Sequence, residues 1–202
     1  MTEPGIARIL VASLHQGISD LLPARLDFYE NWLNPDGLRH GTIGRAPVLA
    51  VLSFLRQEGP FYGQVTRRAG EYAAEWTVAA QSSARRSLVG ALPLRLRFRA
   101  ALRLATRSVQ RTNAGNRATL RVRGAQGTLD IQGSLFCTVR EVSREPLCGY
   151  HAAALARLLE LYSVPGEVRL DHCRAVGDPS CLITVILDSR RQGSAIHLTS
   201  PE

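Results

Sequence analysis

Three cysteines near the C-terminus, Cys148, Cys173 and Cys181, have the type and placement for metal chemistry. Cys148 opens a stretch of helical period, and Cys173 and Cys181 flank the turn-like run RAVGDPS between two apolar segments. A thiolate is a soft ligand that zinc binds tightly. Two thiolates on neighbouring hairpin strands, with a third from a helix start, can surround a tetrahedral ion. The spacing is not that of a C-x-x-C knuckle. The same residues also read as buried reduced cysteines packed as small hydrophobes, and spacing alone leaves both readings open. Cys137 falls on an expected strand and reads as a core residue that could lie near the other thiols.

Motifs for other chemistries are absent from the sequence. No G-x-G-x-x-G follows an expected strand, and GAQG sits between two strands instead of opening a helix. There is no G-x-S-x-G, H-E-x-x-H or kinase set. His15, His40 and His197 stand in no partner pattern. Tyr72, Trp76 and Phe98 are candidates to line a hydrophobic cavity for a small molecule, although aromatic residues at helical spacing are also what a core requires.

The formal charge of +8 comes from 25 arginines and no lysine, a usage that reflects coding composition. Eleven of them, from Arg85 to Arg123, form a stripe that could meet phosphate, an anionic lipid surface or the carboxylates of a small acid, or simply face solvent or a partner. No helix-turn-helix, zinc finger or aromatic RNP-like strand accompanies it, so nucleic acid is not an expected partner. The N-terminal run MTEPGIARILVASLHQG lacks the parts of a secretion signal, and no segment approaches the apolar length of a membrane span. A cytoplasmic location is expected, where four cysteines stay reduced or metal-bound.

These residues must be positioned by helices first and strands later. Ile6, Ile9, Leu10, Leu14, Ile18 and Leu21 recur at helical spacing up to Pro23, and a short helix is expected over 26–33, closed by an NPDG turn at 34–37. VLAVLSFLRQEG reads as a buried helix stopped by Gly59, and 61–80 as another with Gly63 and Gly70 seven residues apart. Around Pro93 the pattern is ambiguous, since LPLRLRF alternates as a strand would but ALRLATRSVQR continues it as a helix; a helix with Pro93 near its start is favoured. From Thr119 the period becomes two, and TLRVRG, GTLDIQG and SLFCTVRE read as short strands. CGYHAAALARLLELYSV is a helix, followed by strands EVRLDHCRA and SCLITVIL. The order predicts an α+β fold with N-terminal helices packed on a small antiparallel sheet. It divides into a helical extension over 1–60, a ligand-binding domain over 61–187 and a polar, mobile tail over 188–202.

The segment from Cys148 to Leu187 resembles the end of the vinyl-4-reductase domain, whose fold is related to that of the TRAPP vesicle-tethering subunits. That domain closes with a Cys-initiated helix and a hairpin carrying C-x-x-x-G-x-P-x-C, here Cys173, Gly177, Pro179 and Cys181. FYGQVTRRAGEYAAEWT is similar to the glycine-spaced helix that begins the domain, and the preceding region resembles the stand-alone branch associated with bacteriochlorophyll synthesis, the 4-vinyl reductase proteins.

The resemblance implies a TRAPP-like, homodimeric, small-molecule-binding domain with a zinc site made of three cysteines and a glutamate three residues before the second cysteine. Cys148, Cys173 and Cys181 match, but Leu170 stands at the glutamate position and Asp171 one place later, so Asp171 becomes the fourth ligand only if a bulge re-aims it. His172, which would point with Leu170, and His151, one helical turn after Cys148, are substitutes. The implied role is to carry a hydrophobic molecule, a tetrapyrrole intermediate of chlorophyll or bacteriochlorophyll synthesis, to a pigment-synthesis enzyme. The alternatives are the 8-vinyl (formerly 4-vinyl) reductase itself, although no cofactor motif is visible, and a TRAPP-like interaction module. A haem-based gas sensor of similar architecture would need a proximal histidine and Y-x-S-x-R, which is absent. A carrier further requires a hydrophobic cavity of at least about 300 Å³ between the helical half and the sheet, with some lining from the helix over 61–76.

Overall fold

A computed structural model describes residues 6–40, 43–113, 115–139 and 141–188; the tail expected to be mobile lies outside the described residues beyond position 188. Among the described residues, eight α-helices precede or interrupt one sheet: α1 (Arg8–Leu21), α2 (Leu26–Glu30), α3 (Pro35–His40), α4 (Arg45–Gln57), α5 (Phe61–Ala79), α6 (Ser83–Ala91), α7 (Leu94–Thr112) and α8 (Gly149–Leu161). The strands are β1 (Arg117–Arg123), β2 (Gln126–Gln132), β3 (Gly166–His172) and β4 (Cys181–Leu187), in spatial order β1-β2-β4-β3, every pair antiparallel. The α+β expectation holds.

The central strand β4 reads CLITVIL, a nearly continuous apolar run, because its two neighbours and the helices leave it little contact with water. Its partner β2 alternates, burying Leu129 and Ile131 against Ile183 and Cys181. α7 is amphipathic: Phe98, Ala101, Leu102, Ala105 and Val109 face inward at helical spacing, while arginines occupy the other side. The middle of the molecule is the stack of α1 on α5 on α8. It is tight because the crossings use small residues. A Cβ on Gly70 would run into the Tyr150 carbonyl oxygen of α8, and one on Gly17 would lie 3.0 Å from the Val65 carbonyl oxygen of α5. Gly63 faces open space and has no such role.

Two local readings need correction. NPDG is not a closing turn but a helix start: the Asn34 side chain accepts a hydrogen bond from the Gly37 N–H, satisfying a donor that the first turn of α3 leaves free. SLFCTVRE is not a strand. Leu135, Phe136 and Cys137 are buried one after another in a 3₁₀ turn, which a strand with alternating faces cannot do.

Candidate metal centre

Four elements deliver one thiol each to the same place. Cys137 ends the 3₁₀ turn Leu135–Cys137, Cys148 is the residue before α8, Cys173 follows β3, and Cys181 begins β4. All four are buried and free of disulfides, and their Sγ atoms lie within 4.8 Å of one another. Cys148 to Cys173 is 3.3 Å, Cys137 to Cys181 3.3 Å and Cys137 to Cys173 3.5 Å. A tetrahedral zinc with Zn–S bonds near 2.3 Å has sulfur–sulfur edges of about 3.8 Å, so the group has the size and count of a closed S₄ site that can hold a metal ion.

Each thiol is held by its surroundings. Phe136 stacks on Tyr150 with ring centroids 4.6 Å apart, which draws the 3₁₀ turn and Cys137 onto the first turn of α8. Tyr62 of α5 donates to the Leu147 carbonyl at 3.0 Å, fixing the chain just before Cys148. Beyond β3, the Cys173 N–H donates to Asp178 Oδ2 at 2.8 Å, and Gly177 at φ 104° supplies the left-handed turn residue that returns the chain to Cys181. The thiols also polarise one another. Hydrogen bonding from Cys137 and then from Cys148 pulls Cys173 and Cys181 below the ordinary thiol range, whereas Cys148 and Cys137 are pushed up. Metal binding would release the protons these thiols share, since a metal takes the thiolate form.

Asp171, the expected fourth ligand, is exposed and not part of this group. The pairing of β3 with β4 does shift at this residue: Leu170 opposes Ile183 and His172 opposes Leu182, leaving Asp171 as the extra residue of a bulge. The effect is not to turn Asp171 inward. Val168 and Leu170 face the helices, so regular alternation would send His172 inward and Cys173 outward; one inserted residue reverses this, exposing His172 and burying Cys173. Cys137 takes the fourth place. The signal for it was the unbroken apolar run Leu135–Cys137, which no alternating strand explains.

His151 is not among the thiols either. It is buried, with Ser134 Oγ 3.0 Å from its Nε2 and Phe136 and Tyr150 edge-on to its ring. Burial pushes its pKa down to about 4.

The aromatic residues proposed to line a cavity do not share one. Tyr72 and Trp76 stack on the outer side of α5, where Tyr72 Oη donates to Asp20 Oδ2 at 2.6 Å and Arg68 Nη2 donates to Tyr72 Oη at 2.9 Å. Phe98 is buried over Gly127 of β2. The interior space lies elsewhere, between α1, α5, α7, α8 and β2, walled by Ala73, Ala74, Ala105, Tyr150, His151 and Leu155 among others. It measures about 30 Å³, whereas a cleft of about 780 Å³, above the expected size but open to solvent and rich in charged residues, lies between α5, α8 and β3, lined by Tyr62, Thr66, Arg68, Glu71, Arg157 and Leu170 among others.

No protein-family model matches the chain, and no curated protein matches it. Solved structures do. An H-NOX domain from Shewanella oneidensis, determined by NMR in the Fe(II)CO ligation state, superposes with a TM-score of 0.58 at 10% identity, covering 92% of this chain and 99% of that one. The crystal structure of an H-NOX protein from S. oneidensis in the Fe(II)NO state gives 0.58, 10%, 91% and 99%. The fold is H-NOX-like. This overturns the resemblance to the vinyl-4-reductase and TRAPP folds: a cysteine-led helix and a cysteine-bearing hairpin are local features, whereas the H-NOX likeness spans nearly the whole chain. The phenol-responsive sensory domain of the transcription activator PoxR, in complex with phenol, is a weaker match, with a TM-score of 0.46 at 17% identity over 71% of this chain and 74% of that one.

The H-NOX family implies a haem, and the residues present do not fit one. The interior space of about 30 Å³ is far smaller than a macrocycle, and the cleft of about 780 Å³ between α5, α8 and β3 has charged walls and no histidine to ligate iron. The histidine on its wall, His151, has its Nε2 engaged by Ser134, and the sequence holds no Y-x-S-x-R. Among the described residues, no helix is long and apolar enough to cross a membrane.

Proposed function

We propose that this chain is a small-molecule-binding module in which a tetrathiolate zinc fastens the helix that walls the ligand space to the C-terminal hairpin. The observation that carries the reading is the convergence of Cys137, Cys148, Cys173 and Cys181 at the start of α8, whose next residues, Tyr150 and His151, line the interior space. Four thiolates with no open position suit a structural zinc and leave no site for a metal-bound water. Support for ligand binding comes from the scaffold, since the H-NOX structures are described with CO and NO as ligands.

The space of about 30 Å³ holds a water or two as it stands, so the occupant is a compact apolar molecule instead of the tetrapyrrole expected from the sequence. A homodimer through the helices belongs to the same proposal, and light scattering at micromolar concentration tests it. Metal analysis of the purified chain tests the zinc; close to one zinc per chain is expected, and metal-free protein of unchanged stability overturns it. Thermal melts under dissolved CO or xenon, which match a space of this size, test the ligand, with a rise in Tm expected. Unshifted melts under both gases overturn ligand binding while leaving the metal reading intact.

A further inference from the structure

One face of the molecule is not used by ligand or metal. Between Glu75 and Asp130 the chain carries eleven arginines and no acidic residue, and all 17 acidic residues lie outside this stretch. A coding bias explains arginine in place of lysine but not the local loss of aspartate and glutamate. Arg95, Arg99, Arg103, Arg107 and Arg111 follow at four-residue intervals on α7, and Arg117, Arg121 and Arg123 lie on β1, the edge strand packed against α7. All eight are exposed, and none is ion-paired among the described residues. Like charges four apart on a helix repel. The stripe therefore weakens the isolated helix, and an anionic surface would relieve it.

Apolar groups are set into the same face. α6 contributes Arg85 and Arg86 yet buries none of its residues, and its Leu88 is 66% exposed. Leu96, 45% exposed, lies three and seven residues before Arg99 and Arg103, on their side of α7. A cleft of about 190 Å³ between α6 and α7 joins Val89 and Leu104 to Arg85, Arg103 and Arg107. Another of about 290 Å³, between α7 and β1, joins Leu120 and Val122 to Arg99 and Arg103. Clefts with both aliphatic and guanidinium walls suit groups that carry phosphate next to hydrocarbon.

We propose that the face formed by α6, α7 and β1 docks on an anionic phospholipid bilayer, with its arginines on lipid phosphates and Leu88 and Leu96 entering the acyl boundary. A nucleic-acid backbone would use the arginines but has no place for the two leucines.

The test is co-sedimentation of the full, metal-replete chain with vesicles of phosphatidylcholine alone and of phosphatidylcholine mixed with phosphatidylglycerol. Binding to the mixed vesicles only, weakening as salt rises, is expected. The triple change Arg99→Gln, Arg103→Gln, Arg107→Gln weakens it roughly a hundredfold, from about a fivefold loss per charge. Leu88→Ser, which leaves the charge unchanged, weakens it roughly tenfold. Both variants alter exposed side chains, and circular dichroism with metal content confirms their fold. Absence of binding to the mixed vesicles, or equal binding to both, overturns the proposal. So does tighter binding to a DNA duplex that Leu88→Ser leaves unchanged, which would assign the face to nucleic acid.

Discussion

Cys137 and Asp171 differ in one respect that decides their roles: the first sits in a turn that places it against three buried thiols, and the second is the solvent-facing residue of a bulge. Cys137→Ser is expected to abolish stoichiometric metal binding and to cost more than about 4 kcal/mol, the range in which loss of a metal site falls. Asp171→Ala should change stability by no more than about 0.5 kcal/mol and leave metal content intact. Metal analysis and urea titration of the two variants check this pair. His151 gives a pH dependence. It is neutral when folded, because burial holds its pKa at about 4, against 6.5 in the unfolded chain. Between those values the unfolded state binds the extra proton, so stability falls as pH drops from about 6.5 to 4 and this contribution levels off below. The loss approaches about 3 kcal/mol. His151→Gln, which can keep a hydrogen bond to Ser134, should remove that part of the slope; an identical pH profile in the variant would refute the assignment.

At the scale of elements, the α5–α8 crossing and the β3 bulge do the positioning. Gly70→Ala forces the helices apart at the Tyr150 carbonyl, with an expected cost of about 1–3 kcal/mol, while Gly63→Ala, in open space on the same helix, is expected to be neutral or stabilising. Thermal melts of both separate packing from helix propensity. Deleting Asp171 removes the bulge and returns β3 to strict alternation, which turns Cys173 outward. The deletion should lower metal content as severely as Cys173→Ser, although no thiol is removed; metal analysis decides.

For the whole molecule, the H-NOX-like scaffold persists around a closed interior. Haemin added to the purified chain is expected to give no shifted absorption band and no change in Tm, because the space between α1, α5, α7, α8 and β2 is about 30 Å³ and His151 is engaged. A stoichiometric, histidine-ligated spectrum would mean that this interior opens far beyond the described packing.

The sequence by itself determined the elements whose period or punctuation is local. The helix α7 was legible from Pro93 at its start, β4 from its apolar run, and Cys148, Cys173 and Cys181 as candidate ligands from a helix start and a turn. What only the tertiary structure decided depends on contacts between distant segments. Cys137 joins the cluster because Phe136 stacks on Tyr150, and Cys173 points inward because pairing with β4 inserts Asp171 as an extra residue. The interior closes because Gly70 and Gly17 let three helices approach, a property of the crossings and not of any one helix. Local propensity acts over a few residues, whereas the convergence of four thiols and the volume left among five elements are set by packing across the chain.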